Sequence, residues 1–426
     1  VKKLEIKVNK LKEVMELVKP VVPKKPTVKS IAYLCMGSGK AVATDLETMV
    51  IANLPEAIEP MLLPYSSIAE MLKYVPGSDV LKVELKGKIV FLSWSNGSAS
   101  YPTEDFADFP VLPDLIARAE ALIDGDVLIP AMLAAVPYTA EDDTRPVLSG
   151  ITVVLGSPIE VAAGDGFRMC HKALGLSFPL EEKIIIPRQG AAILDHVFAK
   201  TPRTPPATAQ SLIKVVTAKR QLRMSLIGDN KLRVDFGTSA SVIINLIAGK
   251  PPEWLALIPK GEPMLQSQIF APQLEAAVKR VRVIAKEGTD AVRLEFADGK
   301  LKVSAKGGDQ EISSTIDTIH TQGESTRIAL NQKYILGYLS GKQGIITFSK
   351  YTESGPAVFE DQQSPRMIVM PMVVAWGDEP PAAKEEPQSE AVAEVSDIEA
   401  AAESESSIEE EETSETETIE EEPVTE

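Results

Sequence analysis

The segment Val161-Ala-Ala-Gly-Asp165-Gly-Phe-Arg168 has a counterpart at Ala41-Val-Ala-Thr-Asp45-Leu-Glu47 and another at Val303-Ser-Ala-Lys-Gly-Gly-Asp309-Gln-Glu311. Each is a run of small and β-branched residues that closes on an acid-bearing turn, the pattern of a buried strand entering a tight reversal. The three acids lie 120 and then 144 residues apart. A period of that length is domain-sized, too long for a solenoid array.

Working outward, each unit opens on apolar residues at helical spacing: Val8, Leu11, Met15 and Val18 in the first, and Leu274, Val278, Val281 and Ala285 in the third. The second unit's counterpart, Ile129 to Val136, is expected to be interrupted by Pro137. A second helix is expected after each turn, beginning at Pro64, Pro187 and Asn331, with starts 123 and 144 residues apart. Alternating runs predict hairpins: Leu222, Met224 and Leu226 turn at Gly228-Asp229-Asn230 into Leu232, Val234 and Phe236, and Val292, Leu294 and Phe296 turn at Asp298-Gly299 into Leu301 and Val303. The fold class is therefore α+β: three repeated domains, each with two short amphipathic helices packed on antiparallel sheet. The expected boundaries are 1–122, 123–263, 264–377 and a tail at 378–426.

Charge separates the tail from the rest. The 426 residues carry a formal charge of -17, but 378–426 holds 20 acidic residues against Lys384 alone, leaving +2 for the other 377 residues. A segment alternating Glu with Ser, Thr, Ala and Pro and lacking aromatic residues cannot bury enough apolar surface to offset the entropy of ordering, so the tail is expected to be disordered. The chain has no apolar run of bilayer length, and its first residues alternate charged and apolar types. Two cysteines, Cys35 and Cys170, are too few for a disulfide scaffold. Neither a membrane nor a secreted protein is expected, and a cytoplasmic location is.

A reacting constellation does not emerge. Gly37-Ser-Gly39-Lys40 lacks both the upstream glycine and the hydroxyl residue of a phosphate loop and reads as a turn. His171, His196 and His320 have no metal-ligand spacing, and Cys170 and His171 would face opposite sides of a strand. Asn96-Gly97-Ser98 fits a glycosylation sequon but reads as a hairpin loop in a cytoplasmic chain. No cofactor, metal or catalytic residue is expected. A hydrolase with Asp45 and Asp165 as paired acids is opposed by the repeat, because equivalent turns of different domains lie far apart.

These residues carry a family resemblance. Asp143-Thr-Arg-Pro-Val-Leu-Ser-Gly150, then Asp165-Gly-Phe-Arg-Met169, and the closing Val369-Met-Pro-Met372 resemble the bacterial DNA polymerase III beta subunits, the replicative sliding clamps, in order and in placement within the repeat. Ala43-Thr-Asp-Leu-Glu47, Lys24-Lys-Pro-Thr27, Ile186-Pro-Arg188 and Asp108-Phe-Pro110 support it, and the likeness covers residues 1 to 377. The resemblance implies a head-to-tail homodimer, a six-domain ring around double-stranded DNA with no chemistry of its own. It also implies as partners a replicative polymerase subunit, a clamp loader and other proteins bearing the clamp-binding motif.

A sequence-indifferent basic face is what phosphate binding needs. The candidates are Lys10, Lys12, Lys19, Lys24 and Lys25 in the first unit, Arg145 and Arg188 in the second, and Lys279, Arg280, Arg282, Lys286 and Lys333 in the third. Carried over by motif, the family's partner-peptide cleft comprises Leu148, Gly164, Gly166, Phe167, Arg168 and Met169, then Pro252 and Leu257, Asn331 and Tyr334, and Val369, Met370, Pro371 and Met372. Methionines suit varied apolar partners, and Arg168 with Asn331 is expected to pin a peptide backbone. Ala256 stands where many members have arginine, and Val373-Val374 replaces an Arg-Leu-like end, which leaves a specialised clamp with altered partners as an alternative.

Overall fold

Every α-helix among the described residues issues directly from a strand, with no residue between them. Strands Lys2–Lys7, Met61–Pro64, Ala117–Asp124, Lys183–Pro187, Leu265–Phe270 and Thr326–Asn331 lead into α1 (Val8–Val18), α2 (Tyr65–Leu72), α3 (Gly125–Ala135), α4 (Arg188–Lys200), α5 (Ala271–Ala285) and α6 (Gln332–Leu339). The computed structural model describes residues 2–54, 59–111, 116–142, 144–201, 220–362 and 364–376. Asp143 of the quoted motif, Gly377 and the tail 378–426 lie outside the described residues. The chain through Val373 forms one compact unit, and a second begins at Val374.

Local chemistry sets the strand-to-helix joints. Asp124 and Asn331 each accept a bond from the backbone N–H two residues on, at 3.1 and 2.9 Å, satisfying one of the donors a helix start leaves open. Pro64 and Pro187 occupy the same position with extended backbone and no side-chain bond. The apolar positions read from the sequence at Val8, Leu11, Met15, Val18, Leu274, Val278, Val281 and Ala285 are all buried. One expectation is corrected: Pro137 does not interrupt the second unit's first helix. That helix runs earlier, from Gly125 to Ala135, carries Pro130 within it, and ends before Pro137, which sits in the following 3-10 turn. A second correction concerns the first boundary, because strand Ala117–Asp124 runs unbroken through residue 122.

Among the described residues four antiparallel sheets carry the repeat. One has the order 61–64, 33–37, 40–44, 48–53, 240–245, 231–236, 221–227, 117–124. A second repeats it strand for strand as 183–187, 150–154, 159–164, 168–174, 366–369, 357–360, 345–350, 265–270, with 320–323 added at its end. Each is two four-stranded halves joined edge to edge. The joints run from Ala240↔Ala52 to Ile244↔Thr48 and from Arg168↔Val369 to His171↔Arg366. The remaining sheets are a first half alone, 326–331, 291–297, 300–307, 310–317, and a second half alone, 97–102, 89–94, 80–86, 2–7.

The core lies between helices and sheets, where Leu222, Met224 and Leu226 face Leu232 and Val234 across their hairpin, and in the third unit Phe296 stacks on Phe348, which meets Phe359 edge-on. The opposite sheet faces hold two smaller apolar clusters, one on each joined sheet. Ser38-Gly39, the supposed phosphate loop, is the two-residue turn between strands 33–37 and 40–44, with φ of 50° and 74°.

Candidate functional site

The first two acid-bearing turns, at Asp45 and Asp165, share one geometry. Asp165 Oδ1 accepts the N–H groups of Phe167 and Arg168, both at 3.0 Å, as Asp45 Oδ1 accepts those of Glu47 and Thr48 at 3.1 and 2.6 Å. Each carboxylate is thus occupied within its own turn. Burial raises the Asp45 carboxyl above its ordinary value despite those backbone bonds.

In the second unit the turn opens onto the joint with the third. Met169 and Ala162 from one half-sheet and Val358 and Ile368 from the other form a buried apolar floor, completed by Leu148, Ala140 and Trp254. Trp254 is 6% exposed, and its indole N–H donates to Thr152 Oγ1 at 2.9 Å. Gly164 is required beneath it, since a Cβ there would come within 2.7 Å of the ring. Around the floor stands an exposed apolar rim: Phe167 at 63%, Leu257 at 55% and Met370 at 50% exposure, with Leu255 and Val373 also open. Backbone bonds fix the closing segment, Met370 N–H to Phe167 O at 2.9 Å and Met372 N–H to Ala329 O at 2.8 Å.

The structure brings Leu148 and Met169 into the apolar floor with Gly164 beneath Trp254, leaves Phe167, Leu257, Met370 and Gly166 exposed and Pro252, Pro371, Met372 and Tyr334 half-buried, and turns Val369 into the helix-side core, on the opposite sheet face from Ile368. Val369 is fully buried in the ladder. Arg168 and Asn331, expected to pin a peptide backbone, both already have partners within the chain. Arg168 donates to Asp165 Oδ2 and the Pro137 carbonyl at 3.1 and 2.6 Å, and Asn331 caps α6 by accepting Lys333 N–H. Trp254, Val358, Ile368, Ala162 and Tyr138 were missed. Trp254 alone had a signal, as the large aromatic in the Pro-Pro-Glu-Trp segment.

The candidate basic residues divide. Lys10, Lys12, Lys19 and Lys24 line one groove of about 1440 Å³ between α1 and α2, with Lys73 and Lys200. Lys25 is exposed next to Lys24, and Arg188 is exposed at the start of α4. Local acids temper this face, because Lys10 pairs with Glu13 at 3.3 Å and Lys19 with Glu16 at 3.4 Å, while Lys12 bonds the Val75 carbonyl at 3.0 Å. On α5, Lys279 pairs with Glu275 at 2.8 Å, Arg280 donates to Ser314 Oγ at 3.0 Å, Arg282 is half-buried and Lys286 is exposed. Lys333 pairs with Asp290 at 2.6 Å, and that ion pair, with the Gln332 bond, holds the Asp290 carboxyl below its ordinary range. Such exposed pairs are worth about 0–1 kcal/mol each and exchange readily for phosphate. Arg145 does not line that groove: its guanidinium lies against Gly166, where a Cβ would be 3.4 Å away. It precedes the 3-10 turn Pro146–Leu148, whose Leu148 enters the cleft floor.

His171 meets Glu160 at 3.0 Å and His196 the Glu16 carbonyl at 2.7 Å. Among the described residues no cluster of three or more metal-ligating side chains occurs, and no helix is long and apolar enough to cross a membrane.

Comparison with known proteins bears on this geometry. Residues 256–372 match the family model of the DNA polymerase III beta subunit, C-terminal domain. The chain is 25% identical over 370 residues to the beta sliding clamp of Escherichia coli K12, covering 82% of this chain and 93% of that one. It is 26% identical over 336 residues to the beta sliding clamp homolog GriR of Streptomyces muensis, covering 75% and 83%. In fold it is similar to the DNA polymerase III beta subunits of Thermotoga maritima (TM-score 0.74) and Pseudomonas aeruginosa (TM-score 0.75). Each is 20% identical and covered over its whole length, by 88% and 87% of this chain respectively.

Proposed function

We infer that the chain, a member of the DNA polymerase III beta subunit family, is a DNA sliding clamp that forms a ring on duplex DNA and tethers its partners through the cleft. The observation that carries the reading is the pair of unmatched half-sheets. At both internal joints a first half meets a second half through strands 48–53 with 240–245 and 168–174 with 366–369. The strands in those same positions at the chain's two ends, Gln310–Asp317 and Gly97–Pro102, form open sheet edges. Long unpaired edges are sticky, and these two are complementary by the repeat itself. Pairing each with the other of a second copy makes a head-to-tail contact that closes after two chains.

On this reading the helices of all three units line the hole. The basic groove of Lys10, Lys12, Lys19 and Lys24, with Lys25, Arg188, Lys279, Arg282, Lys286 and Lys333, meets phosphate without reading sequence. Arg280 lies at the subunit joint through Ser314. The cleft accepts an extended apolar peptide from a polymerase subunit, clamp loader or other partner, seated on Leu148, Met169 and Trp254 and flanked by Phe167, Leu257 and Met370. Unit boundaries follow the joints, near 116 and 264, the protein acts in the cytoplasm, and the ring performs no chemistry. The likeness to GriR and the apolar Ala256 and Val373 favour a cleft with its own partner preference over an altered ring.

The test is topological. Light scattering should give twice the 46.0 kDa chain mass, and loaded protein should stay on nicked circular DNA and be released when the circle is cut. A monomer at micromolar concentration, or retention indifferent to cutting, overturns the reading.

A further inference from the structure

Behind the cleft, on the helix side of the joint, one guanidinium is gripped from four directions. The Arg168 side chain is only 15% exposed. Its Nε donates to Asp165 in its own turn and an Nη to the Pro137 carbonyl. Its face lies 5.0 Å from the Tyr138 ring centroid of the second unit and 4.3 Å from that of Tyr334 on α6 of the third. Arginine suits this site because a planar, weakly hydrated cation satisfies directional acceptors in its plane while its faces lie on aromatic rings. Burial raises the Tyr334 hydroxyl above its ordinary value, with Asp165 adding to the rise and Arg168 opposing it, so the tyrosine stays neutral against the guanidinium.

The same turn is tied to the third unit from its other side. Val369 pairs with Arg168 in the ladder, and Phe167 O accepts the Met370 N–H. The turn bearing Phe167 and Gly164 is therefore held between α6 and the closing strand, and its position sets how far the rim stands from the floor. We propose that Arg168 is a positioning residue for partner binding: it clasps the second unit to the third and fixes the cleft's shape without touching the peptide. This rests on the sliding-clamp reading of the cleft, but the clasp itself can be tested with no peptide present.

The experiment measures hydrogen exchange of the segment 161–170 in the peptide-free full chain, alongside affinity for a peptide of the Gln-Leu-x-Leu-Phe type, the clamp-binding motif that the family resemblance implies. Wild type is compared with Arg168→Ala, Arg168→Lys and Tyr334→Leu. The Phe167 and Arg168 amides are bonded to Asp165 Oδ1, so loosening the turn exposes them. All three variants should exchange about tenfold faster or more there and bind the peptide about tenfold more weakly or worse. Lysine should not rescue, because a point charge cannot replace a planar group held on two rings. If Arg168→Ala does not fold, the other two variants decide by the same readouts. Unchanged exchange in a folded variant overturns the proposal, and unchanged exchange with weakened binding makes Arg168 a direct peptide ligand. A wild-type chain that binds no peptide yet shows faster exchange in the variants would sink the clamp reading and leave the clasp standing.

Discussion

Consecutive residues of an antiparallel edge strand point their backbone N–H groups alternately to the neighbouring strand and to the open side. Of Ser313 and Ser314 in the edge Gln310–Asp317, one therefore donates toward strand Lys300–Gly307 and the other toward the position a second copy would occupy. Single prolines at the two sites should separate folding from assembly. Proline removes the donor, and a buried acceptor left unpaired in the joint costs about 1–3 kcal/mol. A ring of two chains has two such joints, and both must open for dissociation. The outward-facing substitution should therefore weaken the dimer by about 2–6 kcal/mol, a rise in dissociation constant of roughly 30-fold to 10⁴-fold at about 1.4 kcal/mol per factor of ten. The internal joints pair over five and four residues, and a similar closing joint has few hydrogen bonds to spare. Sedimentation across a dilution series gives the dimer constant, and a thermal melt at low concentration reports the monomer. One proline should shift dimerisation while leaving the monomer melt near wild type, and the other should lower the melt. If neither changes the dimer constant, the joint lies elsewhere and the closing argument fails.

Changing Lys10, Lys12, Lys19 and Lys24 to Gln should reduce retention on circular DNA and lower the slope of log affinity against log salt by up to about 0.9 for each phosphate that is no longer neutralised, measured by filter retention at several salt concentrations. An unchanged slope would remove the groove from the DNA-facing wall. Trp254→Ala should cost about 3–5 kcal/mol of stability by opening a cavity over Gly164 and Thr152, and calorimetry of the folded fraction should find peptide binding weakened. Burial pushes the Asp361 carboxyl up, but Lys342 and the two Ser364 bonds outweigh it and hold it at about 2. A depressed carboxyl stabilises the fold above its unfolded value near 4, and that contribution disappears as pH falls through about 2. Lys342→Met should accordingly lower the melting temperature at pH 7, with the gap to wild type closing by about pH 2; a gap constant across that window would refute the pairing.

Periodicity made the repeat legible before any coordinates. A residue's neighbours at two, three and four positions decide whether it enters a strand or a helix and which side it buries, and those relations are local. Thus Leu222, Met224 and Leu226, Val8 and Leu11, and the turns at Asp45 and Asp165 could be read directly. Pro137 misled because a proline ends a helix as readily as it interrupts one, and only the packing of Gly125–Ala135 shows which. Motif placement likewise marked Phe167, Met370 and Leu257, all three of which are exposed, because they lie in short marked segments.

The remaining features depend on distance in space. That Arg145 rests on Gly166 and not in the basic groove, and that Arg168 is sandwiched between Tyr138 and Tyr334, follows from bringing together segments 21 to 196 residues apart. Trp254 over Gly164 is of the same kind. Sequence determined which elements form and that they form three times. Tertiary structure decided which half-sheets are joined, which charges are already paired, and which side chains at the joint are free to meet a partner. A side chain's chemistry is fixed by its type, but its availability is fixed by what the rest of the chain has packed against it.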